Sequence, residues 1–231
     1  MRFAKIIVRF SMLVTVLFVV ARAPSRAQEP DAAYYMTIFS AEAADSRDPR
    51  RTHSFATFVK AIGTGEPAKE SPIEVHTISW MPQSLNIVVL RGKPEAGANL
   101  DLPSSLRWAE SRNCRVTMWG PFQIDKELYD RAIKQEARLN SGEVLYKALD
   151  RRFRPGIASN CIHAISDLDV ANGLLNTGRG RGDAASSQVA EHLERWMINP
   201  KKTHAWVANR LGLNDQTVNQ RNLEPSPLAS R

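Results

Sequence analysis

Residues 52–62 read Thr-His-Ser-Phe-Ala-Thr-Phe-Val-Lys-Ala-Ile, and their alternation decides the fold class. In an extended chain, successive side chains point to opposite faces. His53, Phe55, Thr57 and Val59 then share one face, and Ser54, Ala56 and Phe58 the other. The aromatic and β-branched content predicts a strand. Residues 63–72 (Gly-Thr-Gly-Glu-Pro-Ala-Lys-Glu-Ser-Pro) form a turn. Residues 73–80 and 85–90 are read as further strands, separated by a break at Met81-Pro82-Gln83-Ser84. Upstream, residues 34–39 (Tyr-Tyr-Met-Thr-Ile-Phe) supply another strand, followed by an exposed, charged loop over 41–51. Downstream, 91–103 reads as a Gly/Pro-rich loop, and 114–124 as a strand interrupted at Gly120-Pro121. The expectation is an antiparallel sheet drawn from residues 34–124.

Helices complete an α+β class. A short one is expected over 106–112. Asp125 caps a longer one through about Leu139, where Leu128, Ala132, Ile133 and Ala137 approximate a 3.6-residue period. A third opens at Asn160-Cys161-Ile162-His163 and carries Ala164, Ile165, Leu168 and Val170. Residues 187–198, 203–211 and 216–222 read as further helices, giving a small helical C-terminal segment.

The N-terminus is read as a targeting segment. Arg2, Lys5 and Arg9 precede a nearly unbroken apolar run over 12–21, and Ser25-Arg26-Ala27 supplies small residues for cleavage after Ala27. The run is about half the ~20 residues needed to span a bilayer. The chain is therefore expected to be exported to the periplasm, cell envelope or medium. Its formal net charge is +7, but residues 1–27 hold five cations and no acid, so the remainder carries +2. The basic balance belongs mostly to the leader and gives no ground for nucleic-acid binding. It fits at most a peripheral envelope contact.

Chemistry concentrates at Cys161. A cysteine at a helix start meets N–H groups that stabilise a thiolate or an oxyanion. His53 and His76 stand in upstream strands, and a cysteine, a histidine base and a second polar group make a thiol-catalysis set. A competing reading uses the same sulfur. The chain has two cysteines, Cys114 and Cys161, and export favours a disulfide between them, worth ~3–4 kcal/mol on the chain-entropy view. That alternative makes the protein a non-catalytic binding or scaffold module.

The order His53 strand, His76 strand, intervening segment, then Asn160-Cys161-Ile162-His163 on a helix resembles the circularly permuted papain-like (NlpC-type) cysteine hydrolases. Within them it resembles the lecithin–retinol acyltransferase-like branch. The stretch from Gly120-Pro121-Phe122 to Tyr146 is similar to the tyrosine-containing lead-in of such permuted domains. The resemblance covers about residues 34–170. It implies a permuted papain-like fold, Cys161 as nucleophile, His53 as base, His76 as orienter or polarising group, and Asn160 beside the helix amides at the oxyanion. It also implies attack on amide or ester bonds, with a cell-wall peptide or acyl lipid as substrate and no cofactor. His163 projects away from Cys161 and is expected to be structural or at a rim. Cys114 has no place in that scheme.

Other motifs are weaker. His53, His76, Cys161 and His163 lack metal-ligand spacing apart from Cys161-x-His163, so no metal site is assigned. Thr177-Gly178-Arg179-Gly180-Arg181-Gly182-Asp183 has neither the lead-in strand nor the Lys-Ser/Thr of a phosphate loop. It reads as a flexible loop, and its Arg-Gly-Asp as incidental. Residues 205–223 superficially resemble a helix-turn-helix and read as a packing hairpin. The expected division is a leader (1–27), a papain-like domain (28–175), a Gly/Arg loop (176–186), a helical segment (187–223) and a disordered tail (224–231).

Overall fold

The computed structural model describes residues 31–43, 48, 50, 52–63, 70, 72–150, 156–178, 180–213 and 218–223. The leader over 1–27 and the tail over 224–231 lie outside the described residues.

The expected alternation over 52–62 is a strand, β2 (Thr52–Ile62), and it forms a long antiparallel hairpin with β1 (Ala32–Ala43), Ala41 standing opposite His53. β3 (Ile73–Ile78) pairs with the later half of β2, from Ala56 onward. The other edge of β1 takes β6 (Cys114–Ile124), also antiparallel, and β9 (Asn219–Arg221) lies parallel to β6. The sheet order is β3-β2-β1-β6-β9. A smaller sheet runs β4 (Trp80–Pro82), β5 (Glu95–Asn99), β7 (Leu145–Tyr146), β8 (Ala158–Ser159), its last pair parallel. The fold is thus α+β, as expected, with sheets that are mixed rather than purely antiparallel.

Among the described residues, five longer α-helices pack about the main sheet: α1 (Leu102–Ser111), α2 (Lys126–Asn140), α3 (Cys161–Ser166), α4 (Gly182–His192) and α5 (Ala205–Arg210). β1 is buried on both faces. Met36 and Ile38 pack with Leu128, Ala164 and Val189 of α2, α3 and α4. Phe39 and Ala41 pack with Trp108 of α1 and Ala208 of α5. This is why β1 reads as an apolar run with no polar face. No described helix is long and apolar enough to cross a membrane.

Several local expectations are corrected. Residues 85–90 form no strand: Leu85 takes a left-handed φ of 55° in a turn closed by its N–H to the Pro82 carbonyl at 2.8 Å. β5 instead arises inside the stretch read as loop, where Gly97 lets the Trp80 ring lie against the backbone; a Cβ there would come within 1.9 Å of that ring. Residues 41–43 are buried in β1 because β6 continues to pair there. The strand over 114–124 is continuous through Gly120-Pro121, with a register shift opposite, between Met36 and Ile38. α4 begins at Gly182, not residue 187, because Asp183 is anchored to Arg115 at 2.8 Å and Thr117 at 3.3 Å. This buries the aspartate of the Arg-Gly-Asp tripeptide. Within the last expected helix, 216–222, residues 216–217 lie outside the described residues and Asn219–Arg221 form a strand, β9, rather than the second helix of a hairpin with α5.

Candidate functional site

Cys161 is the first residue of α3, and the Asn160 side chain caps that helix by accepting the His163 N–H at 2.8 Å. Beyond the end of β3, β2 has a free edge at its start, and the Cys161 sulfur sits against it, where the backbone N–H groups of Ser54, Ile162 and Cys161 favour its thiolate form. Burial nevertheless pushes the thiol above its ordinary pKa, outweighing those N–H groups, with Asp150 pushing the same way. At neutral pH the resting group is a neutral thiol.

His53 lines the same 270 Å³ chamber as Cys161, together with Tyr146, Thr177 and the glycines at 178, 180 and 182. Its ring is held between Phe55, stacked at 5.6 Å, and the edge of Trp108 at 5.5 Å. It is 2% exposed, and burial holds its pKa down to about 3. The imidazole is therefore neutral, and its tautomer is the question that decides its use.

The hydrogen bonds around His53 answer that question. Nε2 lies 2.8 Å from Ser79 Oγ, which lies 2.7 Å from Ser105 Oγ, which lies 2.8 Å from the Asp101 carbonyl oxygen. The Ser105 hydroxyl faces both the Ser79 Oγ and the Asp101 carbonyl as donor, which leaves Ser79 Oγ as an acceptor for Nε2–H of His53. Nδ1 is buried without a partner, so a proton there would be a donor with no acceptor, whereas a proton on Nε2 has Ser79 to accept it. The ring therefore carries its proton on Nε2, and Nδ1 is left bare. Ser79 is fixed in turn by its N–H to Asn99 Oδ1 at 2.8 Å, while Asn99 Nδ2 donates to the Thr77 carbonyl at 2.7 Å.

Two expected roles are not met by this geometry. His76 does not orient His53. It stands opposite Phe58, five residues along β2, and its ring bonds Glu136 at 2.5 Å and Glu74 at 2.9 Å. Burial opposes its charged form, but the bonds to Glu74 and Glu136 win and raise its pKa. Asn160 is also committed elsewhere: besides capping α3, its amide nitrogen donates to the Ala148 carbonyl and to Asp150, each at 3.3 Å. The oxyanion role assigned to it has no free donor.

The Cys114–Cys161 disulfide is absent, and both side chains are thiols. Cys114 opens β6 opposite Ala43, with its sulfur 3.8 Å from the Arg112 carbonyl, whereas Cys161 faces the start of β2.

His163 borders the site from the other side. Its Nδ1 lies 2.7 Å from Asp150, and its Nε2 lies 2.9 Å from the Leu175 carbonyl. These groups line a second, larger cleft of about 940 Å³, whose walls share Ala148, Leu149, Asn160, Ile162 and Thr177 with the Cys161 chamber. Sequence reasoning missed Ser79, Ser105 and Asp150. A serine at a strand end and an aspartate before a turn carry no spacing signal, and only the tertiary fold brings them to the histidines. Scans against protein-family models, curated proteins and solved structures find no match to this chain.

Proposed function

We propose that the protein is an exported cysteine hydrolase or acyltransferase acting on amide or ester bonds. The observation that carries this reading is a buried, neutral His53 with Nε2 committed to Ser79, sharing one chamber with a half-buried, free Cys161. Cys161 Sγ attacks the carbonyl carbon as Nδ1 of His53 takes the thiol proton. Both groups start neutral, so this is general-base attack rather than reaction of a standing thiolate–imidazolium pair. The N–H groups facing Sγ ease removal of the thiol proton as the sulfur attacks. The C–N or C–O bond then breaks as His53 returns the proton to the leaving amine or alcohol. Water or an acceptor amine or alcohol then attacks the thioester and gives its proton to His53, and the C–S bond breaks as His53 returns that proton to Cys161 Sγ. Ser79 and Ser105 act as positioning residues that hold the productive tautomer.

Hydrolysis of a chromogenic acyl ester by purified protein tests this. Cys161→Ala abolishes turnover, and His53→Gln lowers it by about 10²–10⁴. Undiminished turnover in Cys161→Ala overturns the reading. Titration of the protein under non-reducing conditions gives two free thiols.

A further inference from the structure

At His163 a ring proton and a segment of chain depend on each other. Nδ1 faces both carboxylate oxygens of Asp150, at 2.9 and 2.7 Å, and Nε2 lies 2.9 Å from the Leu175 carbonyl oxygen. Asp150 is 1% exposed and also accepts the Asn160 backbone N–H at 3.0 Å. Carboxylates and carbonyls only accept, so both ring nitrogens donate, and the ring in this arrangement is an imidazolium. A neutral ring keeps one proton. The charged acceptor holds it on Nδ1, which leaves the lone pairs of Nε2 and of the Leu175 oxygen facing each other.

Leu175 belongs to a strap, Leu174-Leu175-Asn176-Thr177, that runs between Gly173 and Gly178. Both glycines take a positive φ, 83° and 60°, and a Cβ on either would meet nothing within 4 Å. Backbone freedom, not space, calls for glycine at each end. Residues 174–176 lie in no helix or strand. Among the described residues, the His163 bond is the only hydrogen bond tying their backbone to the rest of the protein, and the Leu175 side chain adds partial packing on the core. The strap is also a wall. All four of its residues line the 940 Å³ cleft, and Thr177 with Gly178 lines the Cys161 chamber.

We propose that His163 is a proton-operated latch on this strap. Protonated, it holds the strap down between the cleft and the Cys161 chamber; deprotonated, it lets the strap swing away and widens access to Cys161. The inference rests on the thiol reading for its purpose, as regulation of that site, but the latch itself needs no chemistry at Cys161. Among the described residues, the charged groups on the cleft walls around the ring are Asp150, Asp167 after α3 and Arg138 of α2, and the strap carries none. Carboxylic acids and guanidines titrate outside the range of about pH 6 to 9, so the imidazole is the group that switches there.

Two thiol reagents of unlike bulk test the latch. Iodoacetamide and a pyrene maleimide both react through the thiolate, so the ratio of their rates at Cys161 cancels the thiolate fraction and leaves access. Mass spectrometry of the Cys161 peptide reads each rate apart from Cys114. In the parent the bulky-to-small ratio rises at least about tenfold between about pH 6 and 9, with the midpoint at which the His163 ring titrates by NMR. His163→Gln makes the ratio flat. A flat ratio in the parent, a midpoint apart from that of the His163 ring, or a rise that survives in His163→Gln overturns the latch. The first two outcomes need no variant, so they decide the matter should His163→Gln fail to fold. His76→Gln leaves the rise in place; its loss there assigns the switch to His76 and equally overturns the proposal. A working latch in a protein without ester turnover sinks the thiol reading alone, and turnover with a flat ratio sinks the latch alone.

Discussion

Ser79 is worth more to the site than its chemistry suggests. Removing its hydroxyl leaves the Nε2 proton of His53 with no acceptor, and the tautomer with the proton on Nδ1 becomes competitive. Ser79→Ala is expected to lower kcat by about tenfold to a hundredfold with KM little changed, and Ser79→Thr to restore part of the loss. Equal kcat in Ser79→Ala and parent excludes the positioning role. A second expectation concerns the sulfur. Because burial raises the Cys161 pKa, alkylation by iodoacetamide is slow near neutrality and climbs steadily into alkaline pH; a fast plateau below pH 7 contradicts that. At this scale Cys161 and His53 were legible, since a cysteine at a helix start and a histidine on a strong strand leave marks in sequence. His76 was misread because its place depends on register. It lies opposite Phe58, on the other face of β2 from His53 and five residues along, roughly 16 Å at the usual strand rise.

Elements carry the site through a chain of dependence. Ser79 sits between β3 and β4, Asn99 at the end of β5 pins it, and β5 lies against β4 only because Gly97 clears the Trp80 ring. Gly97→Ala forces a methyl into that ring and is expected to cost roughly 1–3 kcal/mol by overpacking. Thermal unfolding reads this as a lowered Tm, and an unchanged Tm rules out the close packing. The long strand β2 was legible at its observed bounds because alternation and β-branched content run its full length, and β6 was legible at its bounds although Gly120-Pro121 read as an interruption that pairing with β1 bridges. β5 and β9 were not. They are short, and one carries Gly97 and the other only polar side chains, so pairing rather than propensity makes them strands.

Stability of the whole molecule should pass through a maximum in pH, set by two histidines of opposite sign. His53 has a folded pKa of about 3 against an ordinary 6.5, so the unfolded chain binds more protons between those values. Stability is full above 6.5 and falls as pH drops toward 3. The His76 pKa is raised in the fold, so its contribution is full below 6.5 and is lost as pH climbs through the raised value. Urea unfolding across pH 4–9 tests the shape, and His76→Gln should flatten the alkaline side while sparing the acid side. An acid side that stays flat would mean that His53 is not buried as a neutral ring.

The sheet order also has a consequence for how the chain is born. β1 and β2 can meet as soon as the first hairpin emerges, but the other edge of β1 waits for β6, and β6 waits for β9 near the end of the chain. Until then β1 is apolar on both faces with one row of amides and carbonyls unclaimed, which is the pattern that nucleates intermolecular strand pairing. The nascent protein is thus most vulnerable to aggregation while residues 63–113 are being made, and slowing synthesis there should increase its demand for holdase chaperones.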